Sequence, residues 1–131
     1  KQSFYNALAS DNIEMLNTQL AQVKASSITE KDAYEGVLMM KKAGMVSKTK
    51  EKLSLFKSGR AKLEAAINKY KDTEYYFLRL IIQENAPKIL DYNSNIQADI
   101  AIIRSGFKTL AAVVQQAIND YSKKSKNLKP L

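Results

Sequence analysis

The chain has 131 residues, 45% of them hydrophobic and 26% charged, and a net charge of +8. It contains no Cys, no His and no Trp. These absences exclude disulfides, thiol catalysis, Cys- or His-ligated metal centres and every Ser-His-Asp or Cys-His arrangement. No catalytic residue, cofactor site or metal site is read from the sequence.

The length fits one domain, residues 1–131, able to bury roughly two-thirds of its unfolded surface without a metal or crosslink. Only four Gly and two Pro are present, which favours long helices joined by short connections. No run approaches the roughly 18 uncharged apolar residues of a membrane span. The chain begins with Lys1 rather than Met. The expectation is an exported chain, periplasmic or extracellular, whose signal has been removed, with a cytoplasmic setting as the alternative.

In chain order, Ser3–Ala9 predicts a short helix carrying Phe4, Tyr5 and Leu8. Asp11 with Glu14 resembles a capping box for a helix over 12–24, whose stripe is Ile13, Leu16, Leu20 and Val23. Thr29 is the expected N-cap of a helix over 30–43, with Gly44 past its end in a left-handed conformation. Lys41 and Lys42 in the last turn favour its dipole. Ser47 is the expected cap of a helix over 48–70 with the stripe Leu53, Phe56, Arg60, Leu63 and Ile67. Gly59 inside it costs about 1 kcal/mol relative to Ala, so it marks a close crossing or a break.

Asp72 and Thr73 cap the next helix, which is apolar almost all round at Tyr75–Leu78 and Leu80–Ile82 and is therefore a buried one. Asn85-Ala86-Pro87 stops it, and Pro87 starts a short turn through Tyr92. Ser94 with Gln97 forms a capping box for a helix carrying Ile96, Ile100 and Ile103. A break at Ser105-Gly106 precedes a last helix with Leu110, Val113, Val114, Ala117, Ile118 and Tyr121. The basic end, 122–131, is expected to fray. The sum is an all-α fold of six or seven helices packed as antiparallel hairpins.

The stretch Gly59–Leu80, GRAKLEAAINKYKDTEYYFLRL, resembles the second helix of a tetratricopeptide repeat, its loop and the first helix of the next. The Ala66-Ile67 pair and the loop Lys71-Asp72-Thr73 carry the likeness, while the loop Pro of that family is missing. Phe56, Gly59, Leu63, Glu64, Ala66 and Ile67, then Glu74, Phe77–Leu80, Gln83–Pro87, Leu90, Tyr92, Ile96 and Asp99, are together similar to an uncharacterised family of mostly exported bacterial helical proteins. The resemblance implies an all-helical, TPR-like middle and export. It implies no activity.

Two constellations stand out. Arg79 sits between Leu78 and Leu80 on the apolar helix, and a buried guanidinium needs a partner. Glu84, Asp91, Asp99 and Glu64 are the candidates. The cluster of Arg79, Glu84, Asp91 and Asp99, with Asn85 and Tyr92 nearby, reads first as a structural ion pair. Its functional alternative is an anion or small-ligand pocket. A carboxylate pair such as Asp91 and Asp99 is the residual hydrolase reading.

The second constellation is basic. Ten Lys or Arg side chains between Lys41 and Lys71 face only Glu51 and Glu64, so this segment equals the whole formal excess. Lys50, Lys57, Lys62 and Lys69 lie largely off the apolar stripe, as a solvated face or as a patch for acidic protein, polyanion or phospholipid head groups. Lys outnumbers Arg, which disfavours bidentate base reading. The expected function is a non-enzymatic interaction or scaffold module that binds another protein through a helical groove. Polyanion or membrane-surface binding through Lys41–Lys71 is the alternative.

Overall fold

The computed structural model describes residues 1–131. The chain is all-α, with seven α-helices, two short 3-10 turns and no strand. It divides into two compact units, Lys1–Tyr70 and Lys71–Leu131.

The first unit holds α1 (Gln2–Ala9), α2 (Ile13–Ala25), α3 (Lys31–Ala43) and α4 (Thr49–Tyr70). α1 is short, and its aromatic residues fix it to α3. Phe4 stacks on Tyr34 with ring centroids 3.8 Å apart, and Tyr5 meets Tyr34 edge-on. Lys1 donates to the Tyr34 hydroxyl and pairs with Glu30. Leu16, Leu20 and Val23 form the buried face of α2, while Ile13 at its first turn is exposed. The cap is Asn12, whose Oδ1 accepts from the Met15 N–H, rather than Asp11. Asp11 reaches instead toward Lys41, at 3.8 Å.

α3 is buried along most of its length because it packs on α1, α2 and α4. Gly44, expected to be left-handed, is right-handed at φ −75°. The helix winds down through a turn in which the Met45 and Val46 N–H groups also bond to the Lys42 carbonyl, so no reversal is needed. No side chain caps its start, and Glu30 occupies the position expected for Thr29.

The α3–α4 contact explains Gly59. A Cβ on Gly59 would lie 2.5 Å from the Gly36 carbonyl oxygen, and one on Gly36 would lie 2.6 Å from that of Gly59. The two backbones touch, and the helix does not break. Phe56, Gly59, Leu63, Ala66 and Ile67 face this seam. Phe56, Leu63 and Ile67 are buried as expected, while Leu53 is 52% exposed and Arg60 is exposed, so Gly59 and Ala66 complete the buried stripe in their place. A glycine crossing pulls the contact line toward itself.

The second unit holds α5 (Thr73–Asn85), a 3-10 turn (Lys88–Leu90), α6 (Ile96–Gly106), a second 3-10 turn (Phe107–Thr109) and α7 (Ala112–Ser122). The Asp72 carboxylate accepts from the Glu74 N–H to cap α5. α5 packs mainly on α6. Tyr75, Phe77, Leu78, Leu80 and Ile82 are buried, and Tyr76 is only half so. α6 stops at Gly106, where a Cβ would run into the Thr73 hydroxyl.

The end of the chain does not fray. Residues beyond α7 fold back onto α5 and α6, and Leu128 is fully buried. The basic composition pointed outward, but one buried leucine and several hydrogen bonds hold the segment down.

Candidate functional site

α5 presents Arg79 and Gln83 four residues apart, on one helical face. Asp99 stands one turn into α6, opposite them. The Arg79 Nε donates to Asp99 Oδ2 at 2.9 Å and its Nη2 donates to Oδ1 at 2.7 Å. This is a bidentate pair, the strongest geometry available to a guanidinium and a carboxylate. Gln83 Nε2 adds a third bond to Asp99 Oδ2 at 2.7 Å. Asp99 is 0% exposed and Arg79 is buried. The guanidinium carbon lies 5.4 Å from the Tyr76 ring centre.

Gln83 works in both directions. Its Oε1 accepts from the Asn95 N–H, so one amide joins Asp99 to the first residue of the α6 cap. This replaces the expected Ser94–Gln97 capping box. Ser94 instead turns its hydroxyl to Asn95 Oδ1. Asp99 also lies in the first turn of α6, where negative charge meets the positive end of the helix dipole.

Of the four residues grouped from the sequence, then, only Arg79 and Asp99 meet. Asp91 is exposed and ends the first 3-10 turn in a left-handed conformation, φ 51°. Glu84, next to Gln83 on α5, turns to a different partner. Its carboxylate accepts from the Tyr121 hydroxyl (2.6 Å), the Ser125 hydroxyl (2.7 Å), the Asn127 backbone N–H (3.0 Å) and the Asn127 side-chain amide (2.7 Å). Burial opposes ionisation of Glu84, but the bonds from Tyr121, Ser125 and Asn127 outweigh it and hold the carboxyl below its ordinary range. Burial and the adjoining carboxylate push the Tyr121 phenol well above its ordinary value.

Gln83, Tyr121, Ser125 and Asn127 were not legible as partners. Only Gln83 left a trace, through its spacing of four from Arg79.

The basic face belongs to the first unit and is carried by α4. At 100° per residue, Lys50 and Lys57 fall within about 20° of each other around the helix axis, and so do Lys62 and Lys69. They form two ribs about 120° apart, one on each flank of the outer side. The exposed small residues Ser54, Ser58, Ala61 and Ala65 lie between them. Lys50 and Lys57 are exposed and make no ion pair. Lys62 reaches the buried Glu35 of α3 at 3.5 Å, and Lys69 lies over the Tyr70 ring. Lys52 turns inward and donates to the Ala43 carbonyl.

No group of His, Cys, Asp or Glu side chains is arranged to hold a metal ion. No helix is long and apolar enough to cross a membrane. Comparison with protein-family models, curated proteins and solved structures found no match.

Proposed function

We propose that the protein is a non-enzymatic interaction module that docks an acidic protein partner on the outer face of α4. The observation that carries this reading is the pair of lysine ribs on α4, the exposed Lys50/Lys57 and, on the flank beside α3, Lys62/Lys69, on a helix whose inner side is locked against α3. A face fixed by backbone contact at Gly36 and Gly59 holds its charges at set spacing, which reduces the ordering cost of binding. Lysine point charges steer and orient an acidic surface without demanding bidentate geometry. The bidentate pairing of Arg79 with Asp99, whose carboxylate also accepts from Gln83, favours a framework role for that cluster over a ligand pocket. The resemblance to exported bacterial helical proteins adds a periplasmic or extracellular setting and the TPR-like character of the middle of the chain, and fractionation of the native host tests the setting.

The deciding experiment is capture from native-host extract with the wild type and with Lys50→Glu/Lys57→Glu/Lys62→Glu/Lys69→Glu. The wild type retains an acidic protein at low salt and the variant does not. Equal retention by both removes α4 as the interface. If the wild type retains no protein but retains heparin or anionic vesicles in a steeply salt-dependent way, and the four-glutamate variant loses that retention, polyanion or membrane-surface binding through the same lysines replaces this reading.

A further inference from the structure

The segment after α7 carries Lys123, Lys124, Lys126 and Lys129 within seven residues, and all four are exposed. Like charges this close repel, and an unanchored chain relieves the strain by spreading out. Here it does not spread. The Glu84 carboxylate gathers Tyr121, Ser125 and Asn127 with four hydrogen bonds. The Ser125 hydroxyl accepts from the Leu128 N–H, and Leu128 is buried. Arg104 donates to the Lys129 carbonyl at 3.1 Å. Uncharged donors occupy the Glu84 carboxylate, so Glu84 orders the segment without pairing any of its lysines. None of the four makes an ion pair, and Lys124 alone has a further contact, lying 5.9 Å from the Tyr121 ring centre.

We infer that this knuckle, Lys123–Lys129, is an anion site preorganised for clustered phosphate groups. Ammonium groups match phosphate as point charges and need no planar fork. Holding them together beforehand removes the repulsion and ordering cost that a loose tail would meet on binding. The ligand chemistry is several phosphates within a few ångströms of one another, as in a short polyphosphate or at the surface of an anionic phospholipid membrane. The site shares no residue with α4 and stands or falls apart from the proposed function.

Tripolyphosphate and vesicles containing anionic phospholipid are titrated separately against the full chain, with helix content followed in parallel. Binding of tripolyphosphate alone identifies free phosphate as the source, and binding of vesicles as well identifies head groups. Lys123→Gln/Lys124→Gln/Lys126→Gln/Lys129→Gln is expected to weaken vesicle binding about a hundredfold or more. Lys50→Gln/Lys57→Gln leaves the knuckle's share intact. Ser125→Ala/Asn127→Ala changes no charge, loosens the knuckle and weakens binding several-fold. Glu84→Gln separates the two explanations further. If charge alone mattered, loss of a negative group would tighten binding, whereas a preordered site predicts weakening. Wild-type affinity in the four-lysine variant, absence of binding to either probe, or tighter binding in Glu84→Gln overturns the inference.

Discussion

Asp99 is the residue on which the second unit most depends, because it compensates a buried guanidinium and braces the start of α6 through Gln83. Removing one member of such a pair leaves the other charged and dry. Asp99→Ala is therefore expected to cost about 3–5 kcal/mol in urea unfolding. Arg79→Met/Asp99→Ala removes both charges and should recover much of that loss, since a buried pair and an apolar replacement are often close in energy. A double variant as unstable as the single one would show that the hydrogen bonds to Gln83, not charge compensation, dominate. Glu84 obeys a different logic, being half-buried and acting through bonds from neutral donors. Its folded pKa lies below the unfolded one of about 4.3. The stability it contributes is thus complete above that unfolded value and is lost as pH falls through the lower folded value. The protection factor of the Asn127 amide, its exchange relative to an unstructured peptide at the same pH, should fall on acidification through this window before α5 opens. In Glu84→Gln the same amide should show a low protection factor already at neutral pH, with little further change on acidification.

At the level of elements, the α3–α4 seam is set by two glycines whose backbones touch. Gly59→Ala gains about 1 kcal/mol of helix propensity but drives a methyl group into the Gly36 carbonyl oxygen and Met40 Cγ. Overpacking of this kind costs about 1–3 kcal/mol, so net destabilisation is expected, read as a lower midpoint in denaturant with an unchanged slope. A stabilised variant would mean that the seam can open without loss. The sequence announced this seam only as a choice between a crossing and a break, because a lone glycine is compatible with both. Helix locations were legible from periodicity and from Asp72, Pro87 and Gly106. Caps were less so: Asn12 displaced Asp11, since short polar side chains within a residue or two of each other compete for the same N–H groups, and Gln83 reached across from α5 to the Asn95 N–H in place of the expected Ser94 box. The Arg79–Asp99 pairing was one of four options twenty residues or fewer away, and spacing does not rank them. The Glu84 knuckle was hidden altogether. Its partners lie some forty residues downstream in a segment whose composition reads as solvated, and only tertiary packing of Leu128 reveals them.

For the whole molecule the governing quantity is charge of one sign. The unit Lys1–Tyr70 has twelve basic against seven acidic side chains, and Lys71–Leu131 has nine against six. Each unit is cationic by itself, and each concentrates its excess locally, on α4 and on Lys123–Lys129. The members of one α4 rib are seven residues apart, about 10.5 Å along the axis. That is close to the Debye length of about 10 Å at 0.1 M salt. Repulsion within a rib is therefore felt at low ionic strength and screened at moderate ionic strength, while the dry Arg79–Asp99 pair is screened much less. Raising sodium chloride from about 0.02 M to about 0.3 M should raise the melting temperature, with most of the gain below the concentration at which the Debye length falls under the rib spacing. Lys50→Gln/Lys57→Gln should melt higher than the wild type at low salt and respond less to added salt. A melting temperature that falls with salt would mean that attractive pairs, such as Lys1–Glu30 and Lys62–Glu35, outweigh the repulsion. The lysine faces would then gain from a negatively charged partner through direct attraction alone, without a further gain from relief of their own repulsion.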